Sequence, residues 1–302
     1  MDLSVRIGQL TLRNPVLVAS GTFGYAREMA GIVDFSRLGG IIPKTITLQP
    51  RRGNALPRSV ETPCGMLNAI GLDNDGVEHF VQHHLPYLRT LPTALVVNIA
   101  GKSAAEFAAL AERLADQPGI AALELNLSCP NVSGGLDFAT EPRLTHEVIR
   151  QVRRVCPLPI WAKLTPNVTD IVPLARAAEE AGAEAISLVN TFVGLAVDWR
   201  RRRPVLANVT GGLSGPAIKP LALRFVWQAA RAVRIPVIGI GGITTLDDVM
   251  EFLVAGASAV QIGTANFFDP TVTMRIADAL PEALATLGAR CVRDIVGTLQ
   301  AD

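Results

Sequence analysis

The stretch Asn126 to Gly135 reads NLSCPNVSGG, directly after the apolar run AALEL, and sets one thiol between a serine and a proline. A thiol ionises near roughly 8.5, so a small fraction of Cys129 is thiolate at neutral pH and modest tuning makes it a competent base or nucleophile. A protease-type nucleophile needs a histidine partner, yet His79, His83, His84 and His146 all fall in segments that read as helices. General base is the role the pattern favours. Pro130 stiffens the loop, while Gly134 and Gly135 let it turn sharply or move as a lid. Asn126 and Asn131 bracket the thiol, and Asn68 and Asn190 follow two other apolar runs. Each carboxamide offers a donor and an acceptor together, which suits the amide or imide edge of a planar ring such as a pyrimidine. Turn formation explains any one of them but not four at strand ends.

Two lysines join this set. Lys44 and Lys163 each close an apolar run, and no carboxylate closes a neighbouring run to pair with them, so they call for an anion. The other closing residues are Ser20, Thr45, Asn98, Asn126, Asn190 with Thr191, Gly241 with Gly242, and Gly263 with Thr264. These are neutral donors and acceptors, a poor set for a metal and a good one for a hydrogen-bonding ligand. Glycine pairs in GIGG and IGTA let the main chain approach phosphate oxygens. A phosphorylated cofactor with a reducible ring, together with an anionic substrate, would supply the missing negative charge, and a lysine near the ring would stabilise its anionic reduced form.

Eight short apolar runs must position these residues: PVLVAS, GGIIPK, ALVVNIA, AALELN, PIWAKL, AISLVN, PVIGIGG and SAVQIGT. Their near-continuous Val, Ile and Leu content suits strands covered on both faces. Between them lie helical patterns such as SAAEFAALAERLAD, EPRLTHEVIRQVRRV, TDIVPLARAAEEAG, PLALRFVWQAARAV and TLDDVMEFLVAGA. Alternation of strand and helix with no obvious linker predicts an α/β fold, a (β/α)8 TIM barrel forming a single domain over residues 1–302; a doubly wound sheet is the alternative. Residues 44–75 and 190–218 interrupt the alternation as insertions at the C-terminal face of the strands, where barrels build their sites.

Composition narrows the function classes. Of 302 residues 49% are apolar and 28 Lys+Arg face 27 Asp+Glu, so a globular fold with a large core is expected and no polyanionic partner such as nucleic acid is indicated. The run Arg200 to Arg203 reads as a solvated loop, or secondarily as a subunit contact. No leader and no membrane span are recognised, which points to the cytoplasm. Cys64, Cys129, Cys156 and Cys291 lack metal-ligand spacing, and apart from Cys129 they read as small buried apolar residues. His79 and His83 stand four apart on a predicted helix, but without a third ligand they read as a solvated face, so no metal site is expected.

The motifs SGTFGYA, NLSCPNVSGG, KLTPNVTDI, NTFVG, NVTGGLSGPAIKP, GIGGI and GASAVQIGTANF resemble, in order and over nearly the whole chain, those of the class 1B dihydroorotate dehydrogenases, specifically the FMN-carrying catalytic subunit. The resemblance implies that Ser20, Lys44, Thr45, Asn98, Asn126, Lys163, Val189, Gly215, Gly241, Gly242, Gly263 and Thr264 hold FMN. It implies substrate contacts from Lys44, Asn68, Ala69, Ile70, Gly71, Leu72, Asn126, Asn190 and Thr191, and makes Cys129 the catalytic base. It further implies oxidation of dihydroorotate to orotate in pyrimidine biosynthesis. Cys129 would take the C5 proton while hydride leaves C6 for the flavin N5. Lys44 would neutralise the substrate carboxylate, and Lys163 would face the flavin N1 and O2 side. Relatives of this class form a homodimer within a heterotetramer, in which an electron-transfer subunit holding FAD and a [2Fe–2S] cluster passes electrons to NAD. The segment SGGLDFAT is shorter and less basic than in many relatives, which leaves its lid behaviour open. Three rivals stand beside this reading: a flavin-free barrel acting on a sugar phosphate, a flavoenzyme acting on another pyrimidine, and a non-catalytic binding module.

Overall fold

The computed structural model describes residues 1–128 and 140–300. All eight apolar runs form strands: Val16–Val18, Gly40–Ile41, Ala94–Ile99, Ala122–Asn126, Ile160–Lys163, Ala185–Leu188, Val237–Ile240 and Ala257–Ile262. Each pairs in parallel with its neighbours in the chain, and the last closes on the first through Val260 opposite Val16 and Gln261 opposite Leu17. The result is a closed eight-stranded barrel. Helices over Ala104–Ala115, Pro142–Val155, Val172–Glu180, Lys219–Ala232, Leu246–Ala255 and Val272–Thr286 cover it.

Local chemistry explains the helix placement. In Ala104–Ala115 the residues Phe107, Leu110, Ala111 and Leu114 recur at helical spacing and are buried against the barrel, while the Ser103 side chain accepts the Glu106 N–H as N-cap. Full burial of one such leucine is worth about 1.5–3 kcal/mol. Leu246–Ala255 starts with a capping box between Thr245 and Asp248.

Three features lie outside the alternating pattern. An N-terminal hairpin pairs Val5–Ile7 with Leu10–Leu12, and Gln9 N–H reaches Glu184 just before the sixth barrel strand, so the hairpin sits at the N-terminal end of the barrel. At the opposite end the two insertions find each other: an antiparallel sheet runs in the order Phe192–Leu195, Thr210–Ser214, Gly65–Asn68, Ser59–Thr62. The helix after the second barrel strand is interrupted, running Gly76–His79, then a π-helical turn over Phe80–His84, then Leu85–Leu88. Pro86 has no N–H to donate back to residue 82, which favours the wider turn ahead of it.

Cys156 is buried as expected, but Cys64 is exposed in the turn between two strands of the mouth sheet and Cys291 is only half-buried. The first insertion's turn explains the exposure of Cys64, while Cys291 sits ahead of a short 3-10 turn after the last helix. Residues Arg200 to Arg203 are all exposed, with Arg200 stacked on Trp199 at 4.3 Å. No helix among the described residues is long and apolar enough to cross a membrane.

Candidate active site

A cavity of about 830 Å³ opens at the C-terminal end of the barrel beneath the four-stranded sheet. Its wall includes Ser20, Lys44, Thr45, Asn126, Lys163, Val189, Asn190 and Thr191 from the ends of barrel strands, with Gly215, Gly241, Gly242, Gly263 and Thr264 from later loops. The first insertion adds Asn68, Ala69, Ile70, Gly71 and Leu72. Of the expected site residues that the structure describes, only Asn98 is not on this wall. Cys129 lies outside the described residues, as do Asn131, Gly134 and Gly135. Asn98 lies inside the barrel, fully buried.

Asn98 belongs to a polar network that the sequence pattern does not reveal. Glu124, also fully buried, accepts hydrogen bonds from Asn98 Nδ2 at 2.7 Å, Ser187 Oγ at 2.8 Å and Gln261 Nε2 at 2.6 Å. Lys163 Nζ stands 3.7 Å from Glu124 Oε1. The expectation that both lysines lack an acidic partner is therefore corrected for Lys163. Glu124 is two residues before Asn126 on the same strand, so both face the barrel axis, one at the floor and one at the mouth. The available signal was one polar residue inside each of four otherwise apolar runs. A buried carboxylate with three neutral donors and an ammonium beside it meets the requirement that a buried charge be paired and hydrogen-bonded. Asn98 Oδ1 remains without a partner among the described residues.

Lys44 differs. Among the described residues no hydrogen bond or ion pair engages its ammonium, and burial pushes its pKa down, with Asp73 pulling up and Arg58 pushing down more weakly. Arg58 is itself bound to Asp73 at 2.6 Å. Arg51, a cation not singled out from the sequence, also lines the cavity.

The carboxamides are oriented by one another. Asn190 Nδ2 donates to Asn126 Oδ1 at 3.1 Å, and Asn190 Oδ1 accepts Thr191 N–H at 2.8 Å. This leaves Asn126 its two N–H donors for a ligand. Asn167, unforeseen, ties the mouth together by accepting from Val193 N–H and donating to the Thr191 carbonyl. The loop over residues 69–72 is held under strain: Gly71 and Leu72 have φ of 77° and 57°. A left-handed leucine costs on the order of 1–2 kcal/mol. Asn74 compensates, its Nδ2 donating to the Leu72 carbonyl at 2.7 Å while its Oδ1 accepts Gly76 N–H.

At the other end of the cavity Gly241 and Gly242 have φ of 126° and 75°, and a Cβ on Gly242 would stand 2.7 Å from Lys219 N. Only glycine fits there. Asp248 fixes this loop by accepting from Thr244 N–H and Oγ1, Thr245 N–H and Lys219 Nζ. Burial raises the Asp248 carboxyl, but Lys219 and the threonine donors outweigh it and hold it at about 2. The result is a rigid, glycine-lined turn suited to an oxyanion.

A family model described as Dihydroorotate dehydrogenase matches residues 2–284. Among curated relatives, the dihydroorotate dehydrogenase B (NAD(+)), catalytic subunit, of Geobacter sulfurreducens is 54% identical over 99% of this chain and 98% of its own length. The proteins of the same name from Geotalea uraniireducens and Bacteroides thetaiotaomicron are 52% and 50% identical, each over 99% of this chain and 98% and 99% of their own lengths. The chain belongs to the dihydroorotate dehydrogenase family.

Proposed function

We propose that the protein is the FMN-dependent catalytic subunit of an NAD-linked dihydroorotate dehydrogenase, oxidising dihydroorotate to orotate. The observation that carries this reading is a cavity at the barrel mouth whose two lysines are prepared for different charges: Lys163 beside Glu124, and Lys44 with no ion-pair or hydrogen-bond partner among the described residues.

The donor set fits FMN. The Gly241–Gly242 turn and the Gly263–Thr264 segment suit its phosphate, and the wall from Ser20 and Thr45 to Val189 suits a planar ring. The orphaned Asn98 Oδ1 and the unengaged hydrogens of Lys163 are polar groups for which such a ring provides partners. When bound, FMN supplies the acceptor for the hydride lost by the substrate.

This chain's residues do the remainder. Lys44 takes the substrate carboxylate, because an uncompensated ammonium gains most from an anion. Asn68, Asn126, Asn190 and Thr191 hold the ring's amide edge, with residues 69–72 closing over it. Lys163 faces the electron-rich side of the flavin and favours negative charge there. Cys129 is the base for the C5 proton. The relatives' designation as a catalytic subunit supports an electron-transfer partner, to which we assign FAD and a [2Fe–2S] cluster, with two copies of each chain in the assembly.

Replacing Cys129 by Ala tests the chemistry. Flavin content should stay normal while its reduction by dihydroorotate slows by roughly a hundredfold to ten-thousandfold. Unchanged reduction would remove Cys129 from its role.

A further inference from the structure

The sequence places His79 and His83 on one helical face with no third ligand. The π-helical turn over Phe80–His84 changes the companions of His79, because its wider winding brings residues five apart onto one side. Asp75 Oδ2 lies 3.7 Å from both His79 Nδ1 and His84 Nε2, and the three ligand atoms all fall within 4.8 Å of one another. We propose that Asp75, His79 and His84 form a binding site for a borderline divalent transition cation, with zinc as its representative.

Geometry supports the ligand set. Tetrahedral zinc with bonds of about 2.0–2.2 Å separates its ligands by roughly 3.4 Å, so the two Asp75 distances need contract by only a few tenths of an ångström and the two histidine nitrogens by up to about 1.4 Å. Two imidazoles and one carboxylate suit zinc, cobalt or nickel better than magnesium or calcium. His84 provides the second observation: both its ring nitrogens are buried and neither has a hydrogen-bond partner among the described residues. Its ring is clamped flat on Tyr25, centroids 3.7 Å apart, so the nitrogens are already aimed.

The surroundings leave the site open to an ion. Arg27 stands beside the site, donating to the His83 carbonyl at 3.2 Å with its guanidinium over the Tyr87 ring at 4.3 Å. His79 and Asp75 are 44% and 62% exposed, which gives an ion an entry path and leaves water the remaining coordination positions. Asp75 follows the strained loop over residues 69–72 and Tyr25 follows Ser20–Thr22, so a bound ion would cross-brace two segments of the cavity wall.

Zinc chloride titrated calorimetrically into chelator-washed, flavin-loaded protein tests the site, in a Cys64→Ser background that removes an exposed thiol. One ion per chain is expected. Asp75→Asn and His84→Gln should each weaken binding at least about tenfold, and His146→Gln should leave it unchanged. Cobalt in the same site should show the visible absorption of tetrahedral coordination and lose it in both variants. Flavin content and far-UV circular dichroism confirm that the variants fold; Asp75→Asn, on an exposed side chain, covers the case in which His84→Gln does not. Absence of saturable binding overturns the proposal, as does affinity that survives either substitution in a folded protein.

Discussion

Lys44 follows the second barrel strand and Lys163 ends the fifth, both on the wall of one cavity, yet they are built into the protein in opposite ways. Lys163 stands 3.7 Å from a carboxylate that three other strands hydrogen-bond in place. Among the described residues Lys44 has no such partner, and burial works against its charge. Two cations in one cavity can therefore have distinct purposes. A compensated ammonium is held steady with hydrogens to spare, which suits a permanently bound cofactor. An uncompensated one stores unfavourable desolvation that only an incoming anion relieves, which suits a substrate.

Glu124→Gln would make Lys163 resemble Lys44, and it carries the largest expected cost. Breaking a buried pair from one side costs about 3–5 kcal/mol, enough to lower the melting temperature by roughly ten degrees in a chain of this size. Calorimetry of the ligand-free protein checks this. A melting temperature within a degree or two of wild type would mean that Glu124 does not compensate Lys163.

Lys44→Met tests the other half. Losing a charge-assisted contact of about 1.5–3 kcal/mol should weaken orotate binding to the flavin-loaded protein roughly 10- to 150-fold, read from the flavin spectral shift. Stability should change in the opposite sense. The depressed pKa of Lys44 means that the unfolded chain binds its proton more tightly, so wild-type stability rises as pH climbs from that depressed value towards 10.5. Lys44→Met should lack this rise and should melt no lower than wild type at neutral pH.

A third lysine sharpens the contrast at smaller scale. Lys219 is paired with Asp248 at 2.7 Å outside the cavity, where the pair braces the glycine turn. With a folded pKa of about 2 against an ordinary 3.8, Asp248 contributes stability above about pH 4 that fades as pH falls towards 2. The melting difference between wild type and Asp248→Asn should shrink over that window. A difference that stays constant down to pH 2 would exclude the ion pair as its source.

Much of this architecture is legible in the sequence because barrel strands are local. Each apolar run and the polar residue that closes it are contiguous, so the pattern alone assigns Ser20, Lys44, Asn126, Lys163 and Asn190 to one mouth. Long-range pairing is not legible in that way. Gly212 opposite Asn68 joins two insertions through a register that no local pattern encodes. Glu124 is hidden by the same effect: a single acid in AALELN reads as an irregularity until four strands close and bring Asn98, Ser187 and Gln261 around it. His84 escapes because helical spacing from His79 points to His83, and only the π turn brings the residue five along to the same side as well. The chemistry of Cys129 rests on sequence alone, since that residue lies outside those described.

Anaerobic titration of the purified protein with dihydroorotate tests the functional reading most directly. A yellow protein whose flavin bleaches in proportion to dihydroorotate added, with orotate formed in equal amount, is the expected result. A colourless protein, or a flavin that stays oxidised under excess dihydroorotate, would contradict it.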